Sequence, residues 1–233
     1  MALSMTSRPH SVLQRLATFR QRYGAAGAFY KFVDAVLKKT LRASVHTVVW
    51  LDVESLGEMD PPGSPFTFRF LSPDEIDSYA KDASYYLDPS LAAGVRAGRE
   101  LCFAALAGDR LAAFGCYSLE SVEPEHAAGA AMSFPADVAY MSYGFTHPDF
   151  RGARLHGLVM GLALKQLAER GVTKLVSIVG WTNWASLKSC YRLGYVNAGT
   201  MLTVGRPKRA FGVYPKAAKR LGVRFGRRAI AQA

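Results

Sequence analysis

Apolar positions along the chain switch between a period near two and a period near three and a half, the marks of strands and helices. Phe66 to Leu71 predicts a short strand. Ser72-Pro73-Asp74-Glu75 follows as a helix start, with a hydroxyl that can accept from a freed N–H and a proline where no N–H is needed. Helical patterning continues to about Arg96. The apolar runs Leu101 to Ala107 and Leu111 to Leu119 are interrupted at Gly108-Asp109-Arg110, which predicts an antiparallel hairpin. Asp137 to Thr146 predicts another strand, stopped by Pro148. Leu155, Leu158, Val159, Leu162, Leu164 and Leu167 then form the apolar face of a helix that ends at Gly171. Lys174 to Val179 predicts a strand, Trp184 to Leu193 a short helix and Tyr195 to Val204 a last strand.

Ahead of this region, residues 8–42 predict one or two basic amphipathic helices, with Val12, Leu16 and Phe19, then Phe29, Phe32, Val33 and Val36, at three and four spacing. Val45 to Val53 predicts a strand. The segment Asp60-Pro61-Pro62-Gly63-Ser64-Pro65 cannot continue a regular element and marks the best boundary. The chain thus divides into an extension with a strand (1–60), a main domain (66–205) and a basic tail (206–233). Its 233 residues suffice for one full core with appendages.

Charge follows the same division. Residues 1–42 hold 8 Lys+Arg and 1 acid, residues 206–233 hold 9 and none, and the middle holds 12 against 17, which returns the total of +11. Only the ends are basic. They admit a peripheral membrane contact, a nucleic-acid contact, or plain solvated helices, with the membrane preferred to nucleic acid. Cys102, Cys116 and Cys190 have neither metal-ligand spacing nor an even count. With Arg8, Arg15, Arg20 and Arg22 backed by no sustained apolar run, they point to a cytoplasmic protein without a metal, peripheral at most to the inner membrane face.

The most informative stretch is Phe145 to Gly157, Phe-Thr-His-Pro-Asp-Phe-Arg-Gly-Ala-Arg-Leu-His-Gly, which joins a strand to a helix start. A helix start leaves about four N–H groups without internal partners. Glycines 152 and 157 allow close approach, and two arginines flank the turn, so a phosphate-rich ligand fits. Arg151-Gly152-Ala153-Arg154-Leu155-His156 falls on the frame of the cofactor motif of the GCN5-related N-acetyltransferase superfamily. Asn183-Trp184-Ala185-Ser186 followed by Leu193-Gly194-Tyr195 is similar to that family's second motif. Together with the element order, these make residues 66–205 resemble the superfamily. Arg154 stands where the first motif glycine is usual, and His156 at the second small position.

The resemblance implies an α+β (α/β) fold with a mixed central sheet of six to seven strands, splayed at the cofactor site, flanked by helices and carrying a helical extension. It implies acetyl-CoA or another acyl-CoA as cofactor, and acyl transfer to a primary amine of a small molecule or amino sugar by direct attack. The pantetheine arm would follow the strand ending at Phe145 and Thr146, whose N–H would stabilise the oxyanion. The diphosphate would rest on Arg151, Gly152, Ala153, Arg154, Leu155, His156 and Gly157, with Asn183 bonding the arm. Family positions for the base fall on Tyr140 and Ser142, neither basic near neutral pH, so water or Glu125 or His126 can serve instead. The position of the acid falls on Cys190, with Tyr191 one place later and about 100° around the helix. Acceptor contacts are expected from Ile76 to Arg99, with Tyr85, Tyr86, Arg96 and Arg99, and from Gly205 to Tyr214. The missing base and replaced tyrosine leave an alternative: a catalytically degenerate module that binds acyl-CoA, or associates with membrane or nucleic acid.

Overall fold

The computed structural model describes residues 12–59, 65–122, 131–205 and 211–226. The boundary residues Asp60 to Ser64 and the candidate bases Glu125 and His126 lie outside the described residues.

A mixed eight-stranded sheet organises the chain. Its strands are β1 (Ala43–Asp52), β2 (Thr67–Phe70), β3 (Glu100–Ala107), β4 (Arg110–Ser118), β6 (Val138–Thr146), β7 (Lys174–Gly180), β8 (Val196–Val204) and β9 (Phe211–Val213), in the order β2-β3-β4-β6-β7-β1-β8-β9. Short strands β5 (Ala131–Ser133) and β10 (Arg224–Gly226) form a separate pair. The sheet therefore has one strand more than the upper number expected, and β1 accounts for the difference in character. It runs antiparallel between β7 and β8, bonded along both edges. Residues placed in an extension by the sequence thus supply an interior strand, with Val48, Val49 and Leu51 fully buried.

Helices cover both faces because each strand buries one side chain set per face. On one face lie α4 (Leu155–Ala168) and α5 (Trp184–Leu193), packed on Val49, Leu51, Phe103, Ala113, Ala139, Met141 and Leu175. Tyr117 on β4 donates its buried hydroxyl to the Val159 carbonyl of α4 at 3.2 Å. The opposite face is divided. Helices α2 (Pro73–Tyr79) and α3 (Ser90–Arg96) cover Cys102, Ala104, Leu111 and Phe114 at one end. At the other end, β5, β10 and α6 (Lys216–Arg220) cover Val48, Tyr140, Val176, Ile178 and Met201.

Residues 211–226, part of the expected basic tail, are folded because Ala218 and Val223 insert into this second cluster at 0% exposure and Tyr214 stacks on Phe225. The start of α2 follows its sequence signature: Ser72 Oγ accepts from Glu75 N–H, and the Glu75 carboxylate accepts from Ser72 N–H.

Helix α1 (Val12–Val36) is broken at Gly24, whose φ of 72° and ψ of −174° interrupt the helical run. Its second half packs on the loop after β7, centred on Asp34, which is 4% exposed. The Asp34 carboxylate accepts from the Trp181 indole at 2.9 Å and from Lys38 at 3.0 Å. Burial raises its pKa, but the hydrogen bonds from Lys38 and Trp181 outweigh this and hold it below the ordinary value. A depressed carboxyl pKa stabilises the fold above about 3.8, and that contribution is lost as pH falls through the lower folded value. Asp34→Ala is expected to lower stability by ~2 to 3 kcal/mol in denaturant unfolding, while Lys38→Ala, at an exposed position, costs ~1 kcal/mol or less.

Candidate functional site

Among the described strands, β6 and β7 are the only parallel neighbours, joined by the crossover through α4. They pair over three positions only, Val138 with Lys174, Ala139 with Leu175 and Tyr140 with Val176. Past Tyr140, β6 stays bonded to β4 as far as Thr146, and β7 stays bonded to β1 as far as Gly180. The two strands part there, and the sheet opens into a cleft. A bulge explains the parting: Cys116 faces Tyr143 and Tyr117 faces Met141, so Ser142 is an extra residue that bends β6. Backbone groups of β6 from Met141 to Thr146 have no strand partner on the β7 side.

At the carboxyl end of that open edge, a short turn leads into α4. Gly152 has φ +95°, a value suited to glycine, and Arg154 adopts a left-handed conformation with φ 57° as the residue before the helix. Arg154 offers no side-chain cap. Among the described residues, the N–H groups of Gly152, Ala153, Arg154, Leu155 and His156 find no hydrogen-bond acceptor. Residues 151–154 are exposed, and a Cβ added at Gly152 or Gly157 would meet nothing within 4 Å. Neither the Arg151 nor the Arg154 guanidinium has an acidic partner among the described residues. Five donors, two exposed arginines and the positive end of a helix are therefore gathered in six consecutive residues.

The side chains at this turn divide by function. Leu155 is 1% exposed and belongs to the core, so only its N–H is available. His156 is drawn back over β6, where a Cβ at Gly144 would lie 2.7 Å from its Cε1 and 2.8 Å from the Met141 methyl. A side chain at position 144 would have to displace the imidazole. Burial lowers the His156 pKa below its ordinary value, so the ring is neutral at pH 7. It is not a solvated helix-start residue.

Across the cleft, the loop after β7 forms the other lip. Trp181 is held by Asp34, and Thr182, 3% exposed, accepts from Lys31 at 3.0 Å. Asn183 is exposed, and its Oδ1 accepts from the Ser186 N–H at 3.3 Å, so it caps α5 while its amide NH₂ can still donate to a ligand. Trp184 sits in a box of Phe19, Tyr23 and Tyr30 from α1, with ring centroids 5.3 to 5.9 Å away.

Of the residues assigned to proton transfer, the structure keeps one at the open edge. Ser142 is the exposed bulge residue, its hydroxyl 3.4 Å from the Cys116 carbonyl. Tyr140 is instead a core side chain: it lies in the closed half of the β6–β7 pair at 3% exposure, among Val138, Val176 and Ile178. Cys190 is buried between α5 and the sheet, and burial pushes its thiol up to about 11. Tyr191 points elsewhere, 45% exposed in a surface groove with Trp184, Leu187, Lys188 and Arg192. One residue of helix separates these two into different surroundings.

Tyr143 was not anticipated. The bulge turns it onto the face opposite α4, where its ring meets Phe114 at 5.8 Å, beside Phe145 and Tyr86 at 5.4 Å from each other. Burial raises the Tyr143 pKa, so the phenol keeps its proton through the neutral range. Only the alternation Tyr143-Gly144-Phe145 could have indicated this wall, and it required knowing that the register slips at Ser142. Tyr85 packs on Tyr79 and His147, and Arg96 is committed to Asp74 and Asp77 at 2.8 and 2.7 Å, which ties α3 to α2. His147 is structural, its Nδ1 accepting from the Asp149 N–H.

The chain matches no family model and no curated protein. Among solved structures it is similar to a GCN5-related N-acetyltransferase-like protein from Streptococcus suis 89/1591, at 12% identity and a TM-score of 0.50, covering 75% of this chain and 66% of that one. The fold is that of the GCN5-related N-acetyltransferases. An acetyltransferase of the same family from Colwellia psychrerythraea is 12% identical with a TM-score of 0.49, covering 74% of this chain and 57% of that one. The chain spans less than two thirds of the length of both structures. In this fold, the bared turn directly follows the strand whose edge is open.

Gly144→Ala is expected to cost ~1 to 3 kcal/mol in thermal unfolding, because the added methyl collides with His156 and Met141. In an NMR titration, the His156 imidazole is expected to charge below the ordinary histidine midpoint of about 6.5.

Proposed function

We propose that the chain is an acyl-CoA-dependent N-acyltransferase that moves an acyl group, acetyl first in line, to a primary amine of a small molecule or amino sugar. One observation carries the reading: five N–H groups at the start of α4, unpartnered among the described residues, follow in the chain directly on β6, whose edge toward β7 is unpaired past Tyr140.

The residues present fit the cofactor. A diphosphate needs several converging donors and positive charge, and Gly152, Ala153, Leu155, His156, Arg151 and Arg154 provide them. An amide-bearing arm needs an extended backbone edge, and Met141 to Thr146 provides it. Bound there, acyl-CoA supplies a thioester carbonyl for an amine to attack. Alignment of the two reactants is the chain's main contribution, with ~7 to 11 kcal/mol as the upper range for well-oriented groups.

The amine lies on the face opposite α4, against the ring cluster of Tyr143, Phe145 and Tyr86. Its proton leaves through ordered water, since Ser142 is too weak a base. Tyr143, on the open stretch of β6 and protonated near neutrality, is the residue assigned as proton donor to the leaving sulfur in place of the buried Cys190. The three cysteines, all thiols and all buried, are the basis for placing the protein in the cytoplasm.

The burial of Tyr140 and Cys190 favours one second reading, a module that binds acyl-CoA without turnover. A thiol-release assay with acetyl-CoA and a panel of amines, run beside calorimetric CoA binding, separates the two. Turnover supports the transferase, binding without turnover on the whole panel supports the module, and binding of neither overturns both. Arg151→Glu with Arg154→Glu is expected to weaken CoA binding roughly tenfold or more. Tyr143→Phe is expected to lower kcat by about a hundredfold and leave KM unchanged.

A further inference from the structure

Helix α1 meets the rest of the protein along one face. In its second half that face holds Gly27 against Trp184, Tyr30 against Trp181 and Trp184, Lys31 on Thr182, and Asp34 on Trp181. At about 100° per residue, Phe29, Phe32 and Val36 fall on the opposite side. They are 63%, 50% and 39% exposed, and Leu41 in the following turn is 59% exposed. The three-and-four spacing that marks an apolar stripe therefore marks an outward one.

Charge beside the stripe has one sign. Lys39 and Arg42 are exposed next to it, and the one acid of residues 1–42, Asp34, is buried on the inner face and paired with Lys38. Rings and branched aliphatics backed by cations match the boundary between lipid headgroups and acyl chains. Nucleic acid would engage the cations and some rings but leave Val36 and Leu41 in water. Among the described residues, no helix is long and apolar enough to cross a membrane.

We propose that the outer face of α1, with the turn Leu37–Leu41, docks on an anionic lipid bilayer, lying in the plane of the interface. Its inner face is fastened to the lip of the cleft through Trp181 and Thr182, so docking sets the mouth of the cleft beside the headgroups. An acceptor amine presented at a membrane surface is then reached without leaving it. The binding itself does not rest on the transferase reading and is measured without turnover.

The test is co-sedimentation of the full chain with vesicles of mixed phosphatidylglycerol and phosphatidylcholine, against phosphatidylcholine alone. Binding to the mixed vesicles only, weakening as salt rises, is the expected result. Phe29→Ser with Phe32→Ser and Leu41→Ser is expected to weaken it roughly tenfold or more, and Lys39→Glu with Arg42→Glu to do likewise. Thermal unfolding of both variants stays at the wild-type midpoint, because the replaced side chains face solvent. The proposal is overturned if the full chain ignores mixed vesicles at low salt or if the serine variant binds them as well as wild type. It is also overturned if a single-stranded oligonucleotide is bound through this face while vesicles are not.

Discussion

A single misfit in hydrogen-bonding register governs this molecule. β6 must satisfy two neighbours, and beyond Tyr140 it stays with only one of them. The extra residue at Ser142 keeps it bonded to β4 and turns it from β7, which is held by β1. Backbone groups that a closed sheet would consume are left for something else. Unmatched peptide groups are costly when buried, so such an opening persists where solvent or a ligand reaches it. The bare start of α4 lies at the end of this opening because α4 is the crossover that returns the chain to β7.

Much of the architecture was legible because it rests on local chemistry. The β3–β4 hairpin follows from two apolar runs and a glycine turn, and α2 from an N-cap serine followed by proline, to which the structure adds the reciprocal bond from Ser72 N–H to Glu75. The turn at Arg151 was legible for the same reason, since glycines and the strand-to-helix change are written in consecutive residues. Long-range features were not. Nothing in the alternation of Tyr140 to Thr146 marks Ser142 as extra, so Tyr143 was passed over, and nothing in it shows that Tyr140 is buried among Val138, Val176 and Ile178. Likewise, Cys190 and Tyr191 are adjacent in sequence, and only packing against the sheet decides which one is buried.

Helix α1 shows that periodicity fixes a stripe but not the side it faces. Its apolar residues recur at helical spacing, yet in its second half contact with the rest of the protein is made by a glycine, an aspartate, a lysine and a tyrosine. The aspartate is tolerated because a lysine and an indole N–H compensate for its lost hydration. A polar anchor of this kind fixes the orientation of the helix in a way that greasy packing does not, since only one rotation satisfies the carboxylate.

The position of β1 has a consequence for how the chain is made. Its two partners, β7 and β8, are the stretches Lys174–Gly180 and Val196–Val204, more than a hundred residues downstream. During synthesis the strand emerges early and waits, its apolar edge uncovered, until the far half of the sheet arrives. Contacts of such separation slow folding through the entropy of closing the intervening loop. The proline-rich segment after β1 thus tethers an early-made strand to a late-made seat, and a fragment beginning at residue 66 would leave that seat empty in the middle of the sheet.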